Sequence, residues 1–146
     1  MKLTKNFSLD EMIRSTAAIR NGIDNTPTVK EIANLQRLCE HVLEPARELS
    51  GGKTIRISSG FRNPKVNKLI GGSPTSDHVN GNAADFTIDG MSVTEVVEMI
   101  AKSNIQFDQL IHEFDSWVHV SFNETNRREV LAAKKDGKKT VYEKYN

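Results

Sequence analysis

Three copies of one short pattern limit the fold more than anything else in the chain. A serine or threonine is followed three residues later by glutamate at Ser8/Glu11, Thr28/Glu31 and Ser92/Glu95. In such a capping box the hydroxyl accepts the backbone N–H three residues on, and the glutamate accepts the N–H of the cap residue, so two orphan donors of a helix start are satisfied together. The boxes therefore place helix starts. The first helix is expected from about Leu9 to Arg20, stopping at Asn21-Gly22. The second runs from about Val29 toward Leu49, with Ile32, Leu35, Leu38, Val42 and Leu43 on one face, and stops at Gly51-Gly52. Pro45 lies inside it and should kink or divide it, because proline has no N–H and crowds the preceding turn. The third covers about Val93 to Lys102, with Val96, Val97 and Ile100 facing inward. Asn63-Pro64 opens a shorter helix that Gly71-Gly72 ends.

Strand patterns fill the remainder. Thr54 to Ser58 alternates, with Ile55 and Ile57 on one face. Ala83 to Ile88, Phe107 to Phe114 and Trp117 to Phe122 also read as strands, and Glu129 to Tyr145 reads as a hairpin about Asp136-Gly137. Helices first and strands afterwards indicate an α+β fold, a mostly antiparallel sheet with N-terminal helices packed on it. A length of 146 residues fits one domain, 1–146, with no repeat or linker.

Composition excludes several classes. A formal net charge of +1 argues against a dedicated nucleic-acid binder, which carries a basic excess. The basic hairpin tip, Lys134 to Lys139, reads as a solvated turn. The one cysteine, Cys39, sits in a helical apolar pattern and reads as a buried thiol. No apolar run approaches the ~18 residues that span a bilayer, so membrane insertion is not expected. The first ten residues lack the apolar segment of a signal peptide. Synthesis in the cytoplasm is the expectation, with any external substrate reached by another route.

Chemistry concentrates in two places. The segment Ser76-Asp77-His78-Val79-Asn80-Gly81-Asn82-Ala83-Ala84-Asp85 holds a histidine and a carboxylate seven apart, and His119 lies in the later strand candidate. Two imidazoles and one carboxylate suit catalytic zinc, because three protein ligands leave the fourth tetrahedral position open. Spacing alone equally allows a hydrogen-bonded loop histidine and a turn aspartate.

The neighbours decide between them by resemblance. Ser58-Ser59-Gly60-Phe61-Arg62, then Gly72-Ser73-Pro74, then Ser76-x-His78-x-x-Gly81-x-Ala83-x-Asp85, then Trp117-Val118-His119, resemble the zinc D-alanyl-D-alanine carboxypeptidase and peptidoglycan endopeptidase family, which shares its fold with the hedgehog signalling domain. The likeness runs from Phe7 to about Tyr142, and Gly22 to Pro27 and Phe107 to Ile111 resemble phage and prophage members. It implies one zinc ion held by His78, Asp85 and His119, and Arg62 as the cation that binds a substrate carboxylate or the carbonyl oxygen. It also implies hydrolysis of a peptide bond in peptidoglycan stem peptides or crosslinks, after release by another route or as part of a phage particle, by a protein expected to be monomeric.

The general base departs from part of that family. Many members have an acid three residues before the last zinc histidine, where this chain has Ser116. Glu113 lies six before His119 and Asp115 four before. A three-residue loop, Asp115 to Trp117, would pair Phe114 with Val118 and set Glu113 across from His119, which favours Glu113; Asp115 reads as a turn former. Ser76 is a candidate to orient His78 or a ligand, Trp117 to wall the substrate cleft, and His112 to assist the site or stand exposed. The missing acid at Ser116 keeps a second reading open, a catalytically silent zinc-binding module or a phage structural protein retaining the fold.

Overall fold

In the computed structural model, which describes residues 1–145, the chain starts with a small antiparallel ribbon, β1 (Lys2–Thr4) and β2 (Phe7–Ser8). All three capping boxes are formed, at Ser8, Thr28 and Ser92. The first expected helix, however, is two: α1 (Leu9–Ile13) and α2 (Thr16–Arg20). Arg14 leaves the helical region at ψ 129°, and the Ser15 hydroxyl accepts the Ala18 N–H at 3.1 Å, so a second cap ends one helix and starts another.

The second expected helix divides near Pro45. α3 (Val29–Leu38) passes into one wide π-helical turn, Cys39–Leu43, and then α4 (Glu44–Leu49). Pro45 falls in the first turn of α4, where a missing N–H costs nothing, and the widened turn before it relieves the clash with the preceding carbonyls. Next come β3 (Ile55–Ser59), α5 (Pro64–Leu69), a 3₁₀ turn at Asp77–Asn80 and β4 (Ala83–Ile88). The remainder is α6 (Val93–Ala101), β5 (Gln109–Glu113), β6 (Trp117–Ser121), β7 (Glu129–Asp136) and β8 (Lys139–Lys144). No helix of the described residues is long and apolar enough to cross a membrane.

The main sheet has the order β3-β4-β6-β5-β7-β8. It is mixed: its ladders are antiparallel except β5 with β7, which run parallel, so the expectation of a mostly antiparallel sheet needs that correction. The cause is the loop after β6. It crosses beneath the start of β5, and β7 enters with Glu129 beside Gln109, on the free edge of β5. Asp108 anchors that crossing. Its buried carboxylate accepts from Arg127 Nε at 2.9 Å, Arg127 Nη2 at 2.8 Å and Thr125 Oγ1 at 2.5 Å.

Strand alternation gives the sheet two unlike faces. Ala84, Phe86, Leu110, Val118 and Val120 are fully buried, in one cluster with Leu35, Leu38, Val42, Val96 and Ile100 of the helices. Their neighbours in sequence, Asp85, Ile111, Glu113, Trp117 and His119, share the opposite face. One helical layer buries one face; the other is free for chemistry.

Candidate metal centre

The loop between α5 and β4 brings the first histidine to that face. Gly81 ends the 3₁₀ turn at φ +75°, and a Cβ there would sit 2.7 Å from the Glu31 carbonyl oxygen, so only glycine lets the loop pass this close to α3. His78 is thereby placed with its ring almost fully buried, Nε2 3.3 Å from Asp85 Oδ1. In β4, Asp85 pairs directly with His119 of β6, whose Nδ1 lies 2.8 Å from the same oxygen. One donor atom from each of His78, Asp85 and His119 falls within 4.8 Å of the others, a group able to hold a metal ion.

The surroundings prepare these three groups for a cation. His78 Nδ1 donates to the Gly60 carbonyl at 2.7 Å, which fixes the tautomer and leaves the Nε2 lone pair facing Asp85. Burial lowers the His78 pKa against the pull of Asp85, favouring the neutral imidazole that a metal needs. Burial works against ionisation of Asp85, but its close contacts with the two histidine rings, that with His119 first, outweigh it and hold the carboxylate well below its usual range. A nitrogen–nitrogen–oxygen set with this protonation fits zinc.

The centre opens into a cleft of about 560 Å³ along the sheet face. A larger concavity, about 740 Å³, lies between the start of α3 and the loop after β6, and includes none of the three donors. Arg62 lines the cleft, held by its backbone N–H to the His78 carbonyl at 3.1 Å. Its guanidinium has only long contacts, 3.5 Å each, to Ser59 Oγ and Ser76 Oγ, and its buried Nε has no partner. Burial lowers its pKa and Asp85 opposes that, but an arginine remains a cation with donors to spare. Ser76 accepts the His78 N–H at 3.2 Å and so shapes the loop as well as reaching Arg62. Trp117 also lines the cleft, edge-on to Phe114, with its indole N–H buried and without a partner.

Glu113 faces the cleft, but not in the expected register. Phe114 and Asp115 both adopt positive φ (55° and 56°) and Ser116 N–H donates to the Glu113 carbonyl at 2.9 Å. This tight turn starts one residue earlier than expected, so Glu113 pairs with Trp117 and Ile111 with His119. Glu113 and His119 are thus diagonal neighbours on one face rather than directly opposed. Glu113 is 8% exposed, and burial raises its pKa; the His119 ring and Lys135 oppose this, Asp85 reinforces it, and no hydrogen bond contributes. Asp115 has an 84% exposed side chain and contacts His112 Nε2 at 2.9 Å. His112 itself points to the helix side, 3.1 Å from Thr94 Oγ1, away from the three donors.

The cleft includes residues that sequence reasoning did not single out: Ile111, Leu131 and Tyr142. Gly60 was visible only as part of a motif, its carbonyl's role depending on a side chain 18 residues distant.

Comparison with known proteins gives one family. The family described as Peptidase M15 matches residues 5–121, spanning all three donors, Arg62, Ser76, Glu113 and Trp117. No curated protein matches the chain.

Proposed function

Because the chain belongs to the Peptidase M15 family, whose members are zinc-dependent peptidases, we propose that it hydrolyses a peptide bond in bacterial peptidoglycan, in stem peptides or crosslinks. The observation that carries the reading is the convergence of His78, Asp85 and His119 at the head of a cleft that also contains Arg62 and Glu113. His78, Asp85 and His119 would hold the zinc, which when bound would supply a Lewis acid for the scissile carbonyl and for a water.

The chain's own groups account for the rest. Glu113 takes a proton from the attacking water and passes it to the leaving amine nitrogen. Its raised pKa, set by burial, makes it a stronger base toward the water proton than an ordinary carboxylate. Arg62 donates to a substrate carboxylate or to the carbonyl oxygen as it gains charge, using the fork of donors that the protein leaves unused. Ser76 and Gly60 hold His78 and Arg62 in place, and Trp117 walls the cleft. Asp115, turned toward His112, shapes the turn.

The silent-module reading rested on Ser116, which lacks the acid found there in many relatives. A buried carboxylate at Glu113 on the donor face supports the catalytic reading over that one. Glu113→Gln is the test: it preserves shape but cannot accept a proton, so peptide hydrolysis should fall by ~10²–10⁴-fold with zinc content unchanged. Unaltered hydrolysis would remove Glu113 from the mechanism.

A further inference from the structure

The residues matched to the family end at Ser121, yet the sheet continues for two more strands on the cleft side. Cross-strand register shows what they bring. One row runs Trp117, Glu113, Ala133, Tyr142, and the adjacent row runs Asp85, His119, Ile111, Leu131. Paired residues share a face, so Leu131 and Tyr142 extend the metal-bearing face outward across β7 and β8, and both line the cleft.

Ala133 links the Glu113 strand to the Tyr142 strand across β7. It is 2% exposed and small, and it stands between Glu113 and Tyr142. Strands lie ~4.8 Å apart, so the Tyr142 and Glu113 backbones are roughly 10 Å apart. Tyr142 is 54% exposed, an amphipathic ring presented at the cleft wall instead of packed in the core. Burial raises its pKa, with Glu113 and Asp85 adding to the effect, and no hydrogen bond contributes. The phenol therefore stands within electrostatic reach of the site with its hydroxyl protonated.

We propose that the β7–β8 hairpin forms a substrate subsite, with Tyr142 donating a hydrogen bond to a backbone carbonyl or carboxylate of the peptide and Leu131 as its apolar floor. The geometry sets the substrate class. At ~3.3 Å per extended residue, the distance from the His119 strand to β8, about 14 Å, spans roughly four residues. The subsite thus selects peptides extending several residues from the scissile bond over dipeptides. It rests on the peptidase reading above.

The experiment compares the stem pentapeptide L-Ala-γ-D-Glu-L-Lys-D-Ala-D-Ala with the component dipeptide containing the cleaved bond. Wild type, Tyr142→Phe and Tyr142→Ala are assayed as zinc-loaded full chains, with zinc content and melting temperature measured alongside. Wild type should prefer the pentapeptide by at least tenfold in kcat/KM. Tyr142→Phe should lose about 3–10-fold on the pentapeptide, chiefly through KM, because one neutral hydrogen bond is removed while the ring stays. Tyr142→Ala should lose more and erase the preference for length, leaving the dipeptide rate unchanged. Pentapeptide kinetics equal to wild type in both variants would overturn the subsite and leave the peptidase reading standing, as would equal losses on both substrates. A wild type that cleaves neither peptide would overturn the subsite, and if it also releases no amines from crosslinked peptidoglycan the peptidase reading falls with it.

Discussion

Gly60→Ala probes the support of the metal centre without touching a donor. A Cβ at residue 60 would lie 2.2 Å from the Met12 carbonyl oxygen and 3.0 Å from its carbonyl carbon. Both are backbone atoms of α1, so no side chain can swing aside. Relief requires roughly 1 Å of separation between α1 and the end of β3, an overpacking strain of about 1–3 kcal/mol. The same movement strains the Phe61 N–H to Met12 carbonyl bond at 2.8 Å, worth about 1 kcal/mol. The combined loss is about 2–4 kcal/mol, which for a chain of this length lowers the melting temperature by roughly 5–15 °C. It also displaces the Gly60 carbonyl that orients His78, and loss of such an outer partner typically costs ~10–100-fold in metal affinity. Thermal denaturation of the metal-free protein and a zinc competition titration against a chromophoric chelator read the two effects separately. A variant that melts with wild type and holds zinc as tightly would refute both the close packing and the orienting role.

Arg62→Lys keeps the charge and discards the fork, so kcat/KM on peptidoglycan peptides should fall about tenfold or more with zinc retained; wild-type kinetics would remove the Arg62 fork from the mechanism. Asp108 gives a pH prediction. Its pKa is held well below the usual carboxylate range, mainly by the Arg127 side chain, with burial opposing and Thr125 assisting. A depressed folded-state pKa means stabilisation that is complete above the unfolded value of ~3.9 and lost as pH falls below it toward the folded value. Asp108→Asn should therefore be about 2 kcal/mol less stable at pH 7 and show a shallower loss of stability in urea melts between pH 4 and pH 2; identical slopes would contradict this.

Much of this molecule is visible in its sequence because local rules dominate there. Capping boxes act over three residues, and the structure forms all three. β4 has the bounds read from the sequence, Ala83–Ile88, and the helix at Asn63-Pro64 begins at its cap. The His78 and Asp85 spacing was readable because a glycine-ended turn feeds straight into the strand. What escaped depends on non-local or unusual backbone choices. Ser15 resembles any helical serine until it caps a second helix. The β5–β6 turn places Phe114 at positive φ, a conformation no local signal announces for phenylalanine, and that moved the register. The parallel β5–β7 ladder depends on Asp108 gripping a loop 17 to 19 residues later. Tyr142 reaches the cleft only through that ladder, so nothing near it in sequence marked it out.

The most direct measurement is release of free amines from purified peptidoglycan by the wild-type protein as isolated, after chelation, and after return of one equivalent of zinc. Hydrolysis that disappears on chelation and returns with zinc is the expected result, matching a centre built from His78, Asp85 and His119. Zinc-loaded protein that releases no amines from crosslinked or uncrosslinked material, or hydrolysis untouched by chelation, would contradict it.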